Sequence, residues 1–108
     1  MGDQLGEFEH VVLLAILRLQ TDAYAPAILA EIEARTGRPA SRGSIYVTLD
    51  RLEEKGLLKS KMERGEVSRG GRPRRRLQLT VAGLNALRES REALLRMWQG
   101  LEGRLERA

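Results

Sequence analysis

Apolar side chains recur at three- and four-residue steps from about Gly6 to Gln20. Phe8, Val11, Val12, Ala15, Ile16 and Leu19 make one stripe, and Leu13, Leu14 and Leu17 carry it nearly round the cylinder. The spacing predicts a helix that must be covered on more than one side. After a connection over Thr21 to Tyr24, Pro26 falls in a first turn, where its missing amide is harmless. Ile28, Leu29 and Ile32, with alanines around them, predict a second helix stopped by Gly37 and Pro39. A third begins at Ser41, whose hydroxyl can cap the first turn. It buries Ile45, Leu49 and Leu52, and ends at Gly56 with Leu57 beyond. The period then changes to two. Leu58, Ser60 and Met62 alternate with Lys59, Lys61 and Glu63, and Leu77 and Leu79 with Arg76 and Gln78, predicting two strands about a glycine-rich turn.

Thr80 is a further cap candidate, and Leu84, Leu87, Leu94, Trp98, Leu101 and Leu105 predict a final helix. From Leu87, through Arg91, the steps alternate four and three, the spacing of a coiled-coil seam. Some 24 helical residues would reach roughly 35 Å, more than a three-helix core can cover. Gly100 and Gly103 weaken helix propensity, so fraying is expected after Leu101. The expected fold is mainly α with a small β-hairpin. Residues 1–80 form a winged helix-turn-helix and 81–108 a C-terminal dimerisation helix, in one compact unit. Dimer contacts are expected from Phe8, Val12, Leu87, Leu94, Trp98, Leu101 and Leu105.

Charge sharpens this picture. Residues 1–37 carry two basic and six acidic side chains, whereas residues 38–80 carry twelve basic and five acidic. The positive charge therefore sits on the third helix and the hairpin, as the footprint of a polyanion partner should. The outer face of that helix presents Ser44, Val47, Arg51 and Lys55, short and basic enough for a DNA major groove. The turn holds Arg64, Arg69, Arg72, Arg74 and Arg75, with Glu66 its only acid. A Gly71-Arg72-Pro73 run resembles the core of an A·T-hook.

Other chemistry finds little support. The chain has no cysteine and one histidine, His10, so no nucleophile–base pair, thiolate site or metal cluster is expected. The Gly-Gly-Arg run lacks the lysine-threonine of a phosphate loop, and neither enzyme activity nor a cofactor is expected. The longest apolar run, Val11 to Leu17, is too short for a membrane span, and nothing resembles a signal peptide. A cytoplasmic protein is expected. Two rival readings are an RNA-binding module, disfavoured by few aromatics for stacking, and a protein–protein adaptor on the same scaffold.

Several phrases narrow the choice: V-L-L-A-I-L-R-L (12–19), A-Y (23–24), S-x-G-S-I-Y-x-T-L-x-R-L-E-E-K-G-L-L (41–58), R-G-G-R-P-R-R (69–75) and L-T-x-x-G (79–83). Together they resemble the PadR family of bacterial transcriptional regulators, in its short branch with a single C-terminal helix. Ala25-Pro26, Val47 and Arg76-Leu77 depart from its usual residues. The resemblance implies a homodimeric repressor on an inverted-repeat DNA operator. DNA contacts are expected from Ser41, Arg42, Ser44, Tyr46, Val47, Thr48 and Arg51 of the helix and from Arg69, Arg72, Arg74 and Arg75 of the wing. Tyr46 would put its hydroxyl on a phosphate or its ring between helix and wing. Some relatives hold flat aromatic molecules between paired tryptophans, which implies a small aromatic effector at Trp98.

Overall fold

Helices over Glu7–Leu19 (α1), Ala25–Thr36 (α2) and Arg42–Glu54 (α3) precede a hairpin of Leu58–Glu63 (β1) and Arg74–Leu79 (β2). Two more helices follow, Val81–Trp98 (α4) and Glu102–Glu106 (α5). The computed structural model describes residues 4–65 and 70–106. Arg69 and Glu66 of the turn lie outside the described residues.

The boundaries follow from local chemistry. A single 3-10 turn, Gln20–Asp22, ends α1. Pro26 lies in the first turn of α2, and Gly37 closes that helix at φ 69. Ser41 Oγ accepts the Ser44 amide at 3.1 Å, and its hydroxyl donates to Ser44 Oγ. At the other end of α3, Gly56 takes φ 77. There the Leu57 amide reaches the Leu52 carbonyl and the Gly56 amide reaches Glu53, a Schellman stop.

The core gathers Val12, Leu13, Ala15 and Ile16 of α1, Ile28 and Ile32 of α2, and Ile45, Leu49 and Leu52 of α3. Ala23, Leu58, Leu77 and Leu87 complete it from the connection after α1, the hairpin and α4. Each of the valine, leucine and isoleucine side chains contributes about 1.5–3 kcal/mol by leaving water. A part-buried ion pair ties the end of α3 to α1: Lys55 Nζ lies 2.9 Å from Glu9, whose carboxylate also accepts the Gly6 amide. Burial works to raise the Glu9 pKa, but the Gly6 bond and Lys55 outweigh it and leave the group below the usual carboxylate value.

The hairpin register pairs Leu58 with Leu79, Ser60 with Leu77 and Glu63 with Arg74. A third segment joins its edge. Tyr24 forms a bridge with Arg76, and the Leu77 amide donates to the Ala23 carbonyl at 2.9 Å. Thr80 then turns the chain into α4. Its hydroxyl donates to the Gly56 carbonyl at 2.6 Å, its oxygen accepts the Gly83 amide, and its own amide donates to Leu57.

Three expectations are corrected here. Val12 and Leu87 belong to the chain's own core, at 0% and 6% exposure, so neither is left for a partner. Lys55 leaves the outer face of α3 to pair with Glu9. The final helix is not one rod. It ends at Trp98, and Gly100 at φ 86 turns the chain into the short α5. Past Leu87 the apolar residues of α4 are exposed, and the molecule extends to 54 × 32 × 22 Å.

Candidate nucleic-acid interface

Ile45, Leu49 and Leu52 turn one face of α3 inward, which fixes what the opposite face shows. Arg42, Ser44, Tyr46, Val47 and Arg51 are exposed there, with Tyr46 at 47% and Val47 at 57%. Ser41 is exposed too, though its hydroxyl is engaged in the cap. Thr48 is corrected: at 5% exposure it faces the interior one step from Leu49. Tyr46 packs towards α2 and not, as one expectation had it, between α3 and the wing. Its ring borders a small recess with Pro26, Leu29, Arg42 and Ile45 while much of it stays in solvent.

The wing is less simple than its sequence. Gly70 and Gly71 both take φ 74, a region that L side chains rarely adopt. A Cβ at Gly65 would lie 2.0 Å from the Arg72 carbonyl oxygen, so the neck of the turn closes only around a glycine. Arg72 is exposed at the tip, and no ion pair holds it among the described residues.

The arginines on β2 do not join it. Arg75 lies 3.0 Å from Asp50 and 2.9 Å from Glu53, both on α3. Partial burial works against the charge of Arg75, but those two acids outweigh it and hold its pKa above the ordinary value. Arg75, and with the Ser60 hydroxyl's help, holds Glu53 below its own usual range.

Arg74 stacks its guanidinium 3.6 Å from the centroid of the Tyr24 ring. Arg76 lies 3.1 Å from Glu63, and the Tyr24 hydroxyl donates to the same carboxylate. That bond, ahead of the nearby arginines, depresses Glu63 and raises the Tyr24 phenol. Arg74 and Arg75, both expected to contact DNA, are engaged within the chain. The pairing of Tyr24 with Glu63 was missed in the sequence. The bridge of Tyr24 to Arg76 could be anticipated only from a third strand-like segment.

Elsewhere, an open cavity of about 730 Å³ lies between the start of α1 and α4, lined by Leu5, Glu7, His10, Val11, Ser90 and Leu94. His10 Nδ1 meets Ser90 Oγ at 2.8 Å, and burial lowers the His10 pKa. Phe8 is half-buried against the chain's own core. Leu94, Trp98, Leu101 and Leu105, at the far end, are exposed, Trp98 at 43%. Among the described residues no cluster could hold a metal ion, and no helix is long and apolar enough to cross a membrane.

Three helices, a hairpin wing and an exposed face on the third helix define the class: a winged helix-turn-helix regulator. The sequence matches the Transcriptional regulator PadR-like family over residues 13–89. The chain belongs to that family.

A PadR family transcriptional regulator from Eggerthella lenta is 30% identical, with 93% of this chain and 87% of that one covered at a TM-score of 0.70. Two more distant structures share the fold. A PadR-like regulator from Bacillus cereus is 20% identical, covering 91% and 90% of the two chains at 0.73. A putative transcriptional regulator from Thermoplasma acidophilum is 21% identical, covering 94% and 97% at 0.72. Among curated proteins none matches the chain.

Proposed function

We propose that this regulator is a cytoplasmic homodimeric repressor that reads duplex DNA of defined sequence. The observation that carries the reading is the outward face of α3, where Arg42, Ser44, Val47 and Arg51 stand exposed opposite a buried apolar face. Those side chains enter the major groove, with Tyr46 along its edge. Arg72, at the tip of the wing, enters the neighbouring minor groove or neutralises phosphate there.

Assembly is supported by what the monomer leaves uncovered. Leu94, Leu95, Met97, Trp98, Leu101 and Leu105 are all exposed at one end of an elongated chain. Pairing of this end with a second copy buries them, and two-fold symmetry then calls for an inverted-repeat operator. Trp98 at that end is the proposed contact for a small aromatic effector.

Selection of duplexes from a randomised pool by the full chain tests the reading. The expected product is an inverted repeat whose occupancy represses a downstream reporter. A pool that shows no sequence enrichment after repeated rounds overturns sequence-specific recognition, and equal capture of RNA turns the reading toward an RNA module.

A further inference from the structure

Arg74-Arg75-Arg76 is the densest basic run in the described chain, yet no member of it points to an outside partner. The strand pleat deals the three side chains to opposite faces. Arg75 shares its face with Leu77 and Ser60 and reaches Asp50 and Glu53 of α3. Arg74 and Arg76 share the other face with Glu63 and meet Tyr24 and Glu63, at the start of α2 and the end of β1. We infer that these three arginines are positioning residues that clamp the wing between α2 and the reading helix and leave the DNA contact to the tip. The inference rests on the DNA-binding reading.

Geometry gives the clamp its place. The bond from Leu77 to Ala23 and the bridge of Tyr24 with Arg76 hold the base of the hairpin. From Leu77 towards the tip, the side chains that tie the hairpin to other elements among the described residues are Arg74 on Tyr24, Arg75 on Asp50 and Glu53, and Glu63, which accepts the Tyr24 hydroxyl and is held in place by Arg76. Electrostatics gives the same assignment. Asp50 and Glu53 are exposed on α3, the helix proposed to lie against a polyanion. Unpaired, the two would repel phosphate; paired with Arg75, one of their two negative charges is offset and both carboxylates are turned to the arginine. Moving Arg75 to a phosphate would trade two charge-assisted bonds for one or two others and uncover both acids. A wing held at one pitch places Arg72 at one register relative to α3. A loosened wing still neutralises phosphate anywhere, so it keeps its affinity for mixed sequence and loses discrimination.

The test uses the full-length protein, duplexes selected by the wild type from a randomised pool, and a mixed-sequence duplex. Affinity is read by fluorescence anisotropy over a series of salt concentrations. For Arg75→Ala, binding to the selected duplex should weaken about tenfold with an unchanged log–log salt slope, because no phosphate contact is lost. Tyr24→Phe should lower the ratio of selected to mixed binding in the same way.

Arg72→Ala, by contrast, should reduce the slope by about one. The paired change D50N/E53Q keeps Arg75 but releases it, so the slope should steepen by about one and the ratio should fall. A slope reduced by about one in Arg75→Ala makes Arg75 a phosphate contact and overturns the inference alone. Wild-type slope and ratio in D50N/E53Q overturn it equally, even if Arg75→Ala fails to fold. A wild-type protein that binds no duplex overturns the DNA-binding reading and this inference with it.

Discussion

Gly83 shows how one residue can fix the seat of an element. A Cβ there would fall 2.2 Å from the Leu57 carbonyl oxygen, a backbone atom that cannot swing aside. The Thr80 cap and the Gly83 contact together dock α4 on the turn after α3, which gives the L-T-x-x-G phrase a physical cause. Gly83→Ala should cost about 1–3 kcal/mol in urea denaturation, the range for overpacking a closed site.

Two other residues contribute to the acid response, alongside the lowered carboxylates of Glu53 and Glu63. His10 has its pKa lowered from 6.5 by burial, so the fold favours its neutral form and loses stability as pH falls through and below 6.5. Glu9 has its pKa lowered from 4.5, so its contribution holds above about 4.5 and fades as pH falls through the folded value. Denaturation midpoints measured against pH should show both limbs. His10→Phe should abolish the upper one and leave the lower.

At the scale of elements, the C-terminal half of α4 carries the plainest consequence. Leu94 is 54% exposed in the single chain, so Leu94→Asp costs little in the monomer but places an unpaired charge in any interface formed there. Sedimentation should show a folded monomer at concentrations where the wild type is paired, and a folded wild-type monomer at micromolar concentration would remove the case for assembly.

Much of this level was legible in the sequence. Ser41, Thr80, Gly37 and Gly56 end or start helices where read, because capping is decided within a few residues. Both strands were legible from their period. The partners of the wing arginines were not: Arg75 meets acids 22 and 25 residues away, and Tyr24 meets Glu63 across 39. Such pairings depend on how elements pack, and a local count of positive charge cannot supply them. The seam reading carried Leu87 into a dimer because spacing records which face is apolar, not what covers it. It also ran through Gly100, whose left-handed backbone ends the rod.

For the whole molecule, two-fold pairing through α4 and α5 would set two reading helices about one DNA turn, roughly 34 Å, apart. Footprinting on selected duplexes should give two protected half-sites at that spacing. At the wing, Arg72→Ala should weaken binding more on operators flanked by A·T pairs than on those flanked by G·C pairs, since a narrow A·T minor groove holds the more negative potential. Equal losses leave Arg72 as a phosphate contact only. Trp98 is the single tryptophan, so its emission reports directly on this end of the chain. Titration with planar aromatic cations and phenolic acids should quench it saturably and lower operator affinity together. Emission that is already blue-shifted and unmoved by these compounds makes it an interior residue of the assembly.

The bare apolar end of α4 also sets how the protein responds to its own supply. If two chains must meet there before both half-sites can be held, occupancy at low abundance rises with the square of the chain concentration. A twofold change in synthesis then changes operator occupancy about fourfold until pairing saturates. Dilution on cell growth would release the promoter more abruptly than it would with a single-chain reader.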